Sequence, residues 1–148
     1  MHAEQMAEEF PVVGLDTAAL EAVRLLASRR LPGLIVVGQD GCPHSVLPAS
    51  QVVRFLVPSY VQDDPSLARV MDEPFADQAA GKLTGATVRQ LLPSEPVELP
   101  AVNHDDTVVE VAAIMARLRC PLVAVMRDKT ILGAITASRL LELVTSES

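Results

Sequence analysis

Two serines, Ser50 and Ser138, each follow an alanine at the head of an apolar, helix-length stretch, and they stand 88 residues apart in a chain of 148. A hydroxyl beside the free backbone N–H groups of a helix start can hold an anion, or it can simply cap the helix. Arg139 follows the second serine. Its guanidinium carries only donors, which suits a phosphate or a carboxylate; a lone arginine there is otherwise a solvated or ion-paired surface group. Cys42 and His44 flank a turn, but no second Cys/His pair stands nearby and His2 and His104 are isolated, so a structural metal site is not expected. There is no Ser-His-Asp or Cys-His arrangement with supporting context, no phosphate loop and no dinucleotide fingerprint. Catalysis is not expected.

The elements that must position these residues occur twice. From Leu15 to Leu56 and from His104 to Val144 one order of signals recurs: an acidic helix start, an amphipathic stretch ending in arginine, X-Pro, two apolar runs around a polar turn, and Ala-Ser opening a last helix. Asp16 and Asp105, Glu21 and Glu110, Arg30 and Arg119, and Pro32 and Pro121 are each 89 apart, whereas Ala49 and Ala137 are 88 apart, so one turn is a residue shorter. Two copies are too few for an open solenoid. They suit a closed pseudo-symmetric pair, with a cleft where the copies face each other.

In the first copy Pro11 to Val13 reads as a short strand and Asp16-Thr17 as the cap of a helix whose Leu20, Val23, Leu26 and Ala27 share one face. Arg29-Arg30 complement the helix dipole and Pro32-Gly33 stop the helix. Leu34 to Val37 is a strand, Asp40-Gly41 a hairpin turn, Ser45 to Leu47 the return strand, and Ala49 to Leu56 a closing helix with Val52, Val53 and Leu56 inward. The second copy predicts a cap at Asp105 to Thr107, a helix over Val108 to Arg119, strands over Leu122 to Met126 and Ile131 to Thr136 around Asp128-Lys129, and a helix over Ala137 to Val144. The segment from Val57 to Leu92 has no counterpart. Asp64-Pro65 predicts a short helix over Ser66 to Asp72, Gly81 and Gly85 punctuate, and Thr87 caps Val88 to Leu92. This insert reads as a linker packed over the core or as a partner-binding element.

Composition excludes several classes. A formal net charge of −7 and 3% aromatic content with no tryptophan argue against nucleic acid, which needs clustered cations and stacking platforms. No apolar run approaches the roughly 20 residues of a membrane span, so no direct membrane insertion is expected. Glu4, Glu8 and Glu9 interrupt any signal-peptide pattern, so the expected location is cytoplasmic, with Cys42 and Cys120 as free thiols.

The order Asp-Thr, helix, Leu31-Pro32, strand, Asp40-Gly41, strand and helix resembles a cystathionine-β-synthase (CBS) domain. The run Leu132-Gly133-Ala134-Ile135-Thr136-Ala137-Ser138-Arg139-Leu140 resembles it more strongly. Thr87 to Leu92 is similar to the lead-in helix of such domains, with Ala3 to Glu9 as its counterpart, and the whole is similar to stand-alone two-CBS proteins of the actinobacterial type. The resemblance implies an α/β (α+β) fold: two pseudo-symmetric β-α-β-β-α repeats packed through their sheets as a Bateman module. The implied domains are a first CBS repeat over 1–57, a helical linker over 58–86 and a second CBS repeat over 87–148.

The family pattern places Thr or Ser after the third strand and, three residues on, an Asp that accepts from both ribose hydroxyls of AMP, ADP, ATP or S-adenosylmethionine. Here the second copy keeps Thr136 but has Arg139 at the Asp position, and the first has Pro48 and Gln51. Gln51 accepts one bond at most through its amide oxygen. The implied ligand-binding set is Thr136, Ser138, Arg139, Pro121, Leu122, Pro32, Pro48, Ser50 and Gln51. The expected function is a regulatory, homodimeric ligand sensor acting on another chain, for which the resemblance offers a membrane transporter or a metabolic enzyme. The alternative is a degenerate pair that serves as a dimeric interaction module without a small ligand.

Overall fold

The computed structural model describes residues 1–70 and 74–146. The first repeat contains β1 (Val12–Gly14), α2 (Ala19–Arg29), β2 (Gly33–Val37), β3 (Pro43–Pro48) and α3 (Ala49–Leu56), preceded by α1 (Ala3–Met6). The second contains α6 (Val88–Leu91), β4 (Ala101–Asn103), α7 (Val108–Leu118), β5 (Leu122–Arg127), β6 (Thr130–Thr136) and α8 (Ala137–Thr145). Between them lie α4 (Ser59–Asp63), a 3-10 helix (Pro65–Val70) and α5 (Pro74–Leu83).

Each repeat makes a three-stranded sheet, β1-β2-β3 or β4-β5-β6, whose first pair is parallel and second antiparallel. The repeat extends to irregularities: β2 bulges between Val36 and Val37, and β5 between Val125 and Met126. Because successive strand residues face opposite sides, Leu34 and Val36 are buried against the first repeat's helices while Ile35 between them faces the other sheet. Val123 and Val125 likewise face their own helices, and Leu122 and Ala124 face across. Ile35, Val46, Leu99, Leu122, Ala124 and Ala134 form the shared layer that packs the two sheets together.

The lead-in helices are exchanged. Val88 and Leu91 of α6 complete the core of the first repeat, and Ala3 and Met6 of α1 complete that of the second. Equivalent backbone bonds hold both: Val88 N donates to Thr17 O and Arg89 N to Leu15 O at 2.9 Å each, while Ala3 N donates to Asp106 O at 2.7 Å and Glu4 N to His104 O at 2.9 Å. Side chains reinforce the joints. Arg89 meets Asp16 at 3.3 Å, and Glu4 meets Arg127 at 2.6 Å and His104 Nδ1 at 3.4 Å. The His104 approach falls outside hydrogen-bond geometry, leaving that buried nitrogen unpaired.

Several local expectations are corrected. The residue capping α2 is Ala18, whose neighbour Ala19 donates its N–H to Ala86 O, while Thr17 Oγ1 instead accepts from Gly14 N. Ala27 is exposed, and so is Val53 at 59%, because Ala22 and Val52 take the inward positions. Asp64 accepts from the backbone N–H and hydroxyl of Ser66, but a 3-10 turn follows in place of an α-helix, and the expected end at Asp72 lies outside the described residues. Gly81 does not punctuate; it lies inside α5, and Gly85, at φ 78°, marks the break. In the hairpin, Cys42 N–H donates to Asp40 Oδ1 at 3.0 Å and holds that carboxyl below its ordinary range.

Candidate functional site

The site is built by two prolines. The carbonyls of Pro32 and Pro121, each one residue before a central strand, accept the first N–H of α3 (from Ala49, 3.0 Å) and of α8 (from Ala137, 2.9 Å). Each bond ties the start of a closing helix to the start of its strand, and the two tied corners meet where the repeats face each other.

There a cleft of about 230 Å³ opens. One wall is Pro32, Gly33, Val46 and Pro48 from the first repeat; the other is Leu118, Arg119, Cys120, Pro121 and Leu122 from the second, with Val97 at the edge. Of the expected site residues, the fold thus gathers Pro32, Pro48, Pro121 and Leu122. Gly33 has no room for a side chain, since a Cβ would stand 2.9 Å from Leu47 O. A wider cleft of about 540 Å³ adjoins, sharing Val97, Leu118 and Cys120 and adding Glu98, Pro100 and Met126.

Arg119 is the charged group of the smaller cleft. It caps α7 in the left-handed region at φ 51°, as Arg30 does for α2, a conformation that costs a non-glycine residue about 1–2 kcal/mol. Among the described residues its guanidinium has no ion-pair partner. Cys120 beside it donates Sγ–H to Leu122 O at 3.0 Å. The sequence marks Arg119 only as the end of a helix; its left-handed cap, which turns the chain into the cleft, leaves no mark in residue type.

The other expected residues lie elsewhere. Thr136 is the N-cap of α8 and accepts from Arg139 N at 3.0 Å, while Ser50 and Ser138 sit one position inside their helices and cap neither; Pro48 and Thr136 hold the cap positions. Gln51 Nε2 donates to Leu91 O at 3.1 Å, and Arg139 reaches Met6 O at 3.5 Å and pairs with Glu142 at 2.7 Å. None of these five lines the cleft. In the hairpin, His44 Nδ1 lies 2.9 Å from Ser45 Oγ, and no cluster of three metal-ligating side chains occurs among the described residues.

Two β-α-β-β-α units facing each other through their sheets, with exchanged lead-in helices, define a pseudo-symmetric paired fold. The CBS-domain family profile matches residues 88–146. A CBS domain-containing protein of unknown function from Kribbella flavida DSM 17836 is 80% identical over 97% of this chain and 98% of its own, with a TM-score of 0.91. The chain therefore belongs to the CBS-domain family, as a tandem pair. The CBS domain of a membrane protein from Sphaerobacter thermophilus has the same fold, with 17% identity over 97% of this chain and 87% of that one and a TM-score of 0.73. So does CBSX2, solved in complex with AMP, with 14% identity over 98% and 96% and a TM-score of 0.66. No curated protein matches the chain.

Proposed function

We propose that this CBS pair is a cytoplasmic, non-catalytic regulator that binds a small adenosine-type ligand, or another anion with a flat apolar body, between its repeats. The observation that carries the reading is the cleft whose walls come from both halves, Pro32, Gly33 and Pro48 on one side and Arg119 to Leu122 on the other. Its apolar walls suit a planar ring, and its single guanidinium suits a phosphate or carboxylate. CBSX2, with the same fold, holds AMP. A guanidinium and a thiol without an acid–base pair give no catalytic set. A ligand gripped by both repeats favours one relative geometry over another, which is the requirement for regulation. The output then passes through a dimer of this chain to another protein, such as a transporter or a metabolic enzyme. No helix among the described residues is long and apolar enough to cross a membrane.

The second reading, an interaction module without a small ligand, draws on Gln51 and Arg139, which donate to the lead-in helices where a ribose acceptor stands in the family pattern. Thermal unfolding against AMP, ADP, ATP and S-adenosylmethionine separates the two, because a ligand of the native state raises apparent stability. A saturable rise with one of them supports the sensor. No rise with any supports the interaction module.

A further inference from the structure

Two opposite charges stand in the two adjoining clefts between the repeats. Arg119 is the charged group of the smaller cleft and Glu98 that of the wider one, and the other wall residues of both are apolar, a glycine or the Cys120 thiol. Among the described residues neither charge forms an ion pair, with the other or with a third group. The backbone around Glu98 is pinned on both sides: Val97 O accepts from Val46 N at 3.0 Å, Pro100 O accepts from Ala124 N at 2.9 Å, and Leu99 between them is buried in the layer the sheets share. A carboxylate on so fixed a strap needs little ordering when it meets a ligand.

We propose that the two clefts form one bipolar site, whose ligand carries an ammonium or similar cationic group for Glu98 as well as an anionic group for Arg119. Its flat apolar body lies over Val97, Leu118 and Cys120, the residues that the clefts share. The inference rests on the ligand reading above and narrows it from an anion to a zwitterion. A purely anionic ligand gains from Arg119 but meets the Glu98 carboxylate and the field of a chain of net charge −7. A zwitterion avoids that repulsion and gives each unpaired side chain a counter-charge.

The first repeat provides an internal control. Glu98-Leu99-Pro100 recurs 89 residues earlier as Glu9-Phe10-Pro11, just as Arg119 recurs as Arg30. Glu9 and Arg30 are exposed and line neither cleft. The same acid is thus present once at the site and once away from it.

The test is amide chemical-shift titration of the full chain with two zwitterions of different length, 4-(aminomethyl)benzoate and 4-(4-aminobutyl)benzoate, each against its alkyl counterpart without the ammonium, 4-methylbenzoate and 4-butylbenzoate. At least one zwitterion should bind about three- to fivefold tighter than its counterpart, the gain of an ion pair open to solvent, and should shift both Glu98 and Arg119. Glu98→Gln, an exposed position, should abolish that difference, and Glu9→Gln should leave it intact. Zwitterions that bind no tighter than their alkyl counterparts, a difference that survives Glu98→Gln, or one that Glu9→Gln removes equally would overturn the proposal. AMP titrated alongside separates the two readings. AMP binding without a zwitterion preference sinks the bipolar site and keeps the nucleotide, a preference without AMP binding does the reverse, and no binding by any of the five compounds sinks both.

Discussion

Gln51 and Arg139, 88 residues apart at equivalent places in α3 and α8, both donate to the carbonyl of the last residue of an exchanged lead-in helix, Gln51 to Leu91 and Arg139 to Met6. The repeat has kept a function at this position, but the function is a clasp. A short helix of four residues cannot hold itself together in water, and each draws stability from a core it reaches across the molecule. Removing the Gln51 clasp with Gln51→Ala should cost about 1 kcal/mol. It should also speed hydrogen exchange at the α6 amides more than at those of β2, as amide-exchange mass spectrometry would report.

Arg30 and Arg119 share a left-handed cap. Relief of that strain, about 1–2 kcal/mol, outweighs the added freedom of glycine in the unfolded chain, about 0.5–1 kcal/mol. Arg30→Gly and Arg119→Gly should each therefore raise stability by about 0.5–1 kcal/mol in urea unfolding. The two should separate on nucleotide: Arg119→Gly should weaken AMP binding while Arg30→Gly leaves it unchanged.

Gly133 admits the chain that follows α1. A Cβ there would stand 2.5 Å from Glu8 O, the oxygen that accepts from Ala134 N at 3.0 Å. Gly133→Ala should cost about 1–3 kcal/mol through the forced backbone shift. Protection should be lost first at Glu8 and Ala134, which native-state hydrogen exchange can resolve.

Asp40 gives the hairpin a pH dependence. Its carboxyl titrates below about 3.8 in the folded chain, chiefly because the Cys42 N–H donates to the ionised form. The unfolded chain then binds more protons in acid, so the contribution is complete above the unfolded pKa and is lost as pH falls through the folded one. The stability difference between the parent and Asp40→Ala should be constant from pH 7 to about 5 and shrink below about pH 4. A difference that grows in acid would contradict the assignment.

Much of this architecture is legible in the residues. Asp40-Gly41 marks the hairpin because glycine alone takes φ 79° there without strain, and α3 runs from Ala49 to Leu56 as its apolar spacing predicts. What escapes reading is set by distant contacts. Gly81 looks like a breaker, yet α5 continues through it and ends with Leu83 buried in the first core and Lys82 donating to Phe55 O and Leu56 O. The exchange of α1 and α6 rests on bonds between segments more than 70 residues apart, which local spacing does not encode. For the site, Pro32 is legible as a helix stop that opens a strand, and Pro121 as its counterpart 89 residues on. The reach of Gln51 and Arg139 toward the lead-in helices was not, because an amide and a guanidinium serve a carbonyl as readily as a ligand.

The most direct measurement is an amide chemical-shift titration of the labelled full chain with AMP. Ligand binding between the repeats predicts saturable shifts at Gly33, Val46 and Val97 and from Leu118 to Leu122 excluding Pro121, with Arg119 among the largest. Shifts confined to Thr136 through Arg139, or none at millimolar AMP, would contradict AMP binding in this cleft.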